Sequence, residues 1–136
     1  MKNVLFLCTG NSARSQMAEA IVRARFPDWQ PYSAGTSPAG YVHPKALRAL
    51  AEVGISHDGK SKAIDELPTR NFDLVVTVCD SAAEACPVWP GRAGRRAHHD
   101  FADPVSARGS DEEQMQVFRR VRDEMLEEIP ALLSID

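Results

Sequence analysis

Two stretches of this chain run apolar without the apolar–polar alternation of a half-exposed strand: Val4-Leu5-Phe6-Leu7 and Leu74-Val75-Val76-Thr77-Val78. A strand of that kind needs cover on both faces, which is the situation of the inner strands of a parallel sheet. Helical patterns alternate with them. The first run leads into a helix expected over 12–25 and stopped by Pro27 and Asp28. Ala46, Leu47, Leu50 and Val53 repeat at helical spacing, with Pro44 opening that helix and Gly54 closing it. Ser110-Asp111-Glu112-Glu113 is a capping box, and Met115, Phe118, Val121, Met125, Ile129 and Leu132 line one face after it. Pro130 is expected to kink or fray that helix near its end. Shorter strands are expected over 32–35 and around 96–99, and a single helical turn near Ile64 and Leu67. The fold class that follows is α/β, a three-layer sandwich with a four-stranded parallel sheet and helices on both faces.

The 136 residues are expected to form one domain with a core of its own. With 43% hydrophobic and 26% charged residues, the composition is that of an ordinary soluble protein. A net charge of −3 argues against a nucleic-acid partner, which calls for a basic face. No apolar run reaches transmembrane length, and the stretch after Lys2-Asn3 is too short for a secretion signal. Three cysteines do not make a disulfide scaffold, and without a C-x2-C pair no metal site is expected. Reactive thiols in a cytoplasmic protein fit better, and the protein is expected to be a monomer.

Between the first strand and its helix lies Cys8-Thr9-Gly10-Asn11-Ser12-Ala13-Arg14-Ser15. A turn of this type points successive backbone N–H groups into one concavity, backed by the positive end of the helix dipole. Its natural guest is a tetrahedral oxyanion, and Arg14 adds a planar fork of donors. Cys8 stands at the floor, where a thiolate is favoured and can act as nucleophile. A cysteine at a strand end is more often simply core, but a core cysteine does not need a polar turn ending in Arg-Ser. Cys79 follows the other apolar run, and Asp103-Pro104 follows the expected fourth strand. In open parallel sheets ligands bind outside the carboxyl ends of the strands, so all three reach one edge. Asp103 can serve there as a proton donor, or Asp-Pro can be no more than a turn.

Cys8-x5-Arg14-Ser15 after an N-terminal strand resembles the anion loop of the low-molecular-weight protein tyrosine phosphatase superfamily. The string through Gln16-Met17-Ala18-Glu19-Ala20 is closer to one branch of it, the thioredoxin-coupled arsenate reductases. The resemblance runs along nearly the whole chain. It implies an oxyanion-binding loop of Thr9, Gly10, Asn11, Ser12, Ala13, Arg14 and Ser15, with Cys8 as nucleophile and Asp103 as general acid. It also implies a redox pair, Cys79 and Cys86, spaced Cys-x6-Cys and followed by Pro87. No bound cofactor is implied: arsenate takes electrons through a Cys8-Cys79-Cys86 relay that reduced thioredoxin regenerates. The alternative is a tyrosine phosphatase using Cys8, Arg14 and Asp103 alone. Gln16 stands where such phosphatases carry proline, and Val105-Ser106 where they carry a tyrosine pair. Some reductases bind potassium beside the loop. Asn11, Glu19 and Ser33 match those ligands, but Lys62 replaces the aspartate, so no ion is expected.

The redox pair sets a geometric condition. On an unbroken helix, residues seven apart lie about 10.5 Å apart along the axis. A disulfide needs Cα atoms within roughly 7 Å. Ala82-Ala83-Glu84-Ala85 favours helix, so the segment is expected to unwind on oxidation.

Overall fold

A computed structural model describes residues 1–81 and 84–134. Four strands, β1 (Lys2–Cys8), β2 (Trp29–Gly35), β3 (Asn71–Thr77) and β4 (Arg92–His98), form one sheet in the order β2-β1-β3-β4. Every pairing is parallel. Among the described residues three α-helices accompany them: α1 (Arg14–Arg25), α2 (Pro44–Ala51) and α3 (Asp111–Ser134). Among the described residues, no helix is long and apolar enough to cross a membrane.

The continuous apolar runs behave as their sequence requires. Val4, Phe6 and Cys8 of β1 face one core with Leu74 and Val76 of β3, while Leu5, Leu7 and Val75 face the other. The two layers covering the sheet are unequal. All three α-helices contact one another on the first face, where Met17, Ile21, Leu50, Met115, Phe118 and Met125 are buried. The second face is covered by the 3-10 turn Ile64–Glu66 with Leu67, by Tyr32, and by Trp89 from the loop before β4. Phe72 meets Tyr32 and Trp89 edge to face.

Boundaries differ from expectation where side chains gave a weak signal. The second strand begins three residues earlier, at Trp29, and the fourth begins at Arg92 rather than near Arg96. β4 is an edge strand with Arg92, Arg95 and Arg96, and basic residues on an edge discourage further strand pairing. α3 runs through Pro130 to Ser134, and the burial of Leu132 and Leu133 holds its last turn. The helix expected over 82–85 includes Ala82 and Ala83, which lie outside the described residues.

β1 sits at the point where the strand order reverses, with β2 to one side and β3 to the other. The crevice at such a point, beyond the carboxyl ends, is where this class of sheet binds ligands. Cys8 is the last residue of β1.

Candidate functional site

The turn from β1 into α1 directs its carbonyl groups outward. Thr9 O accepts from Ser37 N at 2.9 Å, Gly10 O from Ala39 N at 2.8 Å, and Ser12 O from His43 N at 2.8 Å. In a trans peptide the following N–H points the opposite way, so the amides of this loop turn toward its interior. Ala13 caps α1 without a side-chain hydrogen bond, so no side chain occupies the helix's first donors. α1 therefore starts at Arg14, two residues later than its sequence pattern suggests. Gly35 permits the close packing behind the loop, since a Cβ there would collide with Thr9 O. The result is a cavity of about 230 Å³ whose lining includes Cys8, Thr9, Asn11, Ser12, Arg14 and Asp103. Gly10, Ala13, Ala39 and Val105 complete its lining.

The Cys8 sulfur is buried and held by a directed network. Asn11 has a left-handed backbone, φ 47°, which brings its N–H within 3.3 Å of Cys8 Sγ. Asn11 Oδ1 accepts from Lys62 N at 2.9 Å and from Gln16 Nε2 at 2.9 Å. A backbone N–H can only donate, so the Asn11 amide orientation is fixed and its Nδ2 donates to Ser15 Oγ at 2.7 Å. Ser15 is then free to donate its own hydrogen to Cys8 Sγ, 2.9 Å away. Two donors thus converge on the sulfur, an arrangement suited to negative charge there. Ser15 does not line the cavity itself and reaches the site through its bond to Cys8 Sγ.

Gln16, where phosphatases of this type carry proline, has a role the sequence alone did not reveal. It is fully buried, donates to Asn11 and to Lys60 O, and bonds His57 Nε2 through Oε1 at 2.7 Å. Burial keeps His57 below its ordinary imidazole value. Beside it, Lys62 Nζ donates to Ser33 O at 3.1 Å and Lys60 O at 2.8 Å, and Ser33 Oγ donates to Glu19 at 2.7 Å. A protein ammonium stands among the groups that matched potassium ligands. Burial pulls Lys62 below its ordinary value, with the Glu19 charge opposing that effect.

Arg14 and Asp103 close the site. Burial works against the Arg14 charge, but a hydrogen bond to Glu84 and the charges of Cys8, Asp103 and Glu84 outweigh it, so the guanidinium is held above its ordinary value. Arg14 Nη1 also donates to Phe101 O at 3.2 Å, which fixes the fork against the chain following β4. Asp103 caps a 3-10 turn by accepting from Val105 N at 3.0 Å, and its other oxygen lies 3.8 Å from Arg14 Nη2. Its turn geometry and its approach to the cavity are therefore compatible.

Cys79 and Cys86 are joined in a disulfide with Cα atoms 5.8 Å apart, while Cys8 is free. That distance is shorter than an intact helix allows. The pair does not line the cavity but lies at the same edge: Leu7 pairs with Thr77, and Val78 N donates to Leu7 O at 2.9 Å. Cys79 is fully buried and Cys86 is half-buried.

Three groups around this bridge were not singled out from sequence. Asp100 is exposed but accepts from Ser81 N at 3.0 Å and Ser81 Oγ at 2.8 Å, and also bonds His98 Nε2. Those bonds, the Ser81 amide foremost, draw its carboxyl down to about 2. His98 Nδ1 pairs with Thr77 Oγ1 at 2.6 Å. A ring nitrogen of His98 lies within 4.8 Å of both bridge sulfurs, but sulfurs spent in a disulfide offer no thiolate to a metal. The third is Glu84, whose carboxylate meets Arg14. The position of Asp100 just past a strand end was a usable signal. Glu84 carried none, because its partner is 70 residues away.

Residues 3–135 match the profile of the low molecular weight phosphotyrosine protein phosphatase family. The chain is 48% identical over 126 residues to an arsenate reductase of Halalkalibacterium halodurans, covering 91% of this chain and 89% of that protein. The structure is similar to that of an arsenate reductase from Archaeoglobus fulgidus, with a TM-score of 0.81, 33% identity, and 97% and 99% of the two chains covered. It is also similar to an arsenate reductase in its phosphate-binding state, with a TM-score of 0.79, 29% identity and 98% of each chain covered.

Proposed function

Because the chain belongs to the low molecular weight phosphotyrosine protein phosphatase family, and its anion loop stands beside a cysteine pair, we propose that it reduces arsenate to arsenite. The observation that carries this reading is the Cys79–Cys86 bridge next to a free, hydrogen-bonded Cys8. A phosphatase has no use for a second and third sulfur.

The reaction is a sequence of displacements at sulfur. Arsenate seats on the loop amides and Arg14. The Cys8 thiolate bonds to arsenic, and Asp103 gives a proton to the departing oxygen, which leaves as water. Cys79 then attacks Cys8 Sγ. The sulfur–arsenic bonding pair stays on arsenic, which is thereby reduced and departs as arsenite. Cys86 next attacks Cys79 Sγ, releasing Cys8 as a thiolate and leaving the Cys79–Cys86 disulfide. An external dithiol returns two electrons by two further exchanges. Thioredoxin is the donor we assign. Cys86 is the more exposed sulfur of the pair, and Val88 beside it is 83% exposed, so an incoming thiolate meets Cys86 first. No step needs a prosthetic group or a metal, and the cytoplasm supplies the reducing setting for a monomeric enzyme. Phosphate has nearly the shape and charge of arsenate, so weak hydrolysis of phosphomonoesters by Cys8, Arg14 and Asp103 is an expected side reaction.

The test is arsenate-dependent NADPH oxidation with thioredoxin and thioredoxin reductase, run beside an aryl phosphate assay. Reduction of arsenate is expected. Brisk aryl phosphate hydrolysis with no arsenate-dependent NADPH oxidation would replace this reading with the phosphatase one.

Asp103→Asn separates the acid from the turn. Asparagine keeps the shape and the capping oxygen but cannot give up a proton. Turnover of arsenate is expected to fall by about 10²–10⁴-fold with phosphate affinity near normal. An unchanged rate with an unchanged pH profile would return Asp103 to a purely structural role.

A further inference from the structure

Glu84 plays no part in the proposed reaction, yet it holds the side chain that reaction most depends on. Its carboxylate takes both arms of the Arg14 fork, Nη1 at 2.6 Å and Nη2 at 2.8 Å. Thr9 Oγ1 donates to it at 2.9 Å and Asp80 N at 3.2 Å. A planar anion gripped bidentately by arginine, with a loop hydroxyl on the same oxygens, is how this site would hold two oxygens of a bound oxyanion. The pair is sheltered, with side-chain exposures of 4% for Arg14 and 20% for Glu84. The hydrogen bond from Arg14, helped by those from Asp80 N and Thr9, draws the Glu84 carboxyl below its ordinary value, so it stays charged near neutrality.

We propose that Glu84 is an internal competitor for the oxyanion site, presented to Arg14 when the Cys79–Cys86 disulfide closes. This rests on reading the Cys8 loop as an oxyanion site. Glu84 lies within the loop that the disulfide closes. The Cα atoms of Cys79 and Cys86, 5.8 Å apart, are closer than helical spacing of seven residues allows, and Glu84, two residues before Cys86, meets Arg14 with the bridge closed. Asp100 fastens the near end of the same loop through Ser81.

The arrangement answers a hazard of the relay. In the disulfide form Cys8 is free but Cys79 is spent. An oxyanion admitted at that stage would be held on Cys8 with no thiol in place to resolve it. Glu84 neutralises Arg14 and occupies both arms of its fork, which opposes the binding of a dianion. Opening the disulfide releases Glu84, and the site becomes available together with the electrons it needs. Reduction by the external dithiol thus precedes reloading.

Calorimetric titration with inorganic phosphate tests this directly, without relying on turnover. Wild-type protein and Glu84→Gln are compared, each fully reduced and each with the Cys79–Cys86 disulfide verified by peptide mapping. Oxidised wild type is expected to bind phosphate roughly tenfold or more weakly than reduced wild type, the scale of one charge-assisted contact. Oxidised Glu84→Gln is expected to recover most of that loss, and Glu84→Ala to match it. The two reduced proteins are expected to bind alike. No gain in the oxidised variants would overturn the competition. An equal gain in both redox states would overturn its coupling to the disulfide. Absence of phosphate binding by reduced wild type would overturn the oxyanion-site reading itself, and the gating with it.

Discussion

Cys8→Ser is expected to abolish arsenate reduction and phosphomonoester hydrolysis together, by at least about a thousandfold, while phosphate binding persists. The substitution is nearly isosteric at a buried position at the end of β1. The introduced hydroxyl inherits two partners, Ser15 Oγ and Asn11 N, so it is not left unsatisfied in the core. What changes is nucleophilicity. A hydroxyl remains protonated at neutral pH even with two donors aimed at it, whereas sulfur in the same place can carry the charge. The loop amides and Arg14 are untouched, so the anion still has its cradle. Calorimetric titration with phosphate beside both assays reads the two properties separately. Substantial turnover by the purified variant would remove Cys8 from the chemistry.

That separation of cradle and nucleophile was legible in the sequence, because both depend on neighbours in the chain. Cys8 through Ser15 are consecutive, and a strand, a polar turn and a helix in succession place them without help from distant residues. The continuous apolar runs of β1 and β3 likewise declare burial on both faces. β4 was legible only in part: an edge strand need not be apolar, and its arginines read as surface until the pairing with β3 places them. The covering of the second face was hidden for a related reason. Trp89 lies in a loop between two prolines, where no periodicity marks it as core, yet it is 3% exposed and packs on Phe72.

The groups that escaped notice act across long sequence distances. Glu84 sits in a stretch of good helix formers, and local propensity says nothing about an arginine seventy residues earlier. Gln16 was visible as a departure from the phosphatase pattern, but its use becomes clear only when His57, Lys60 and Asn11 are seen around it. In each case a polar side chain ties the loop to a segment that folds onto it. Pattern reading finds the elements that bury apolar surface, and it finds least where the structure is joined by single polar contacts.

Cys86→Ser is expected to confine the protein to one turnover, yielding about one equivalent of arsenite per chain and then stopping. With three cysteines in the chain, only Cys8 and Cys79 then remain, and the relay halts when they are bonded to each other. The block is expected to hold because both sulfurs are out of reach. Cys8 is 2% exposed and Cys79 fully buried, so a protein dithiol that would meet Cys86 in the native enzyme finds no accessible sulfur. Steady-state arsenate reduction should fall at least about a hundredfold, since attack by thiolate on a disulfide requires access. Hydrolysis of an aryl phosphate by freshly reduced protein uses Cys8, Arg14 and Asp103 only, and is expected to stay near the wild-type rate. Mass spectrometry of the protein after one exposure to arsenate should show a Cys8–Cys79 disulfide, and a strong small-molecule reductant should restore a second burst. Sustained thioredoxin-coupled reduction at the wild-type rate would mean that Cys86 is not the resolving thiol, whatever bond joins it to Cys79.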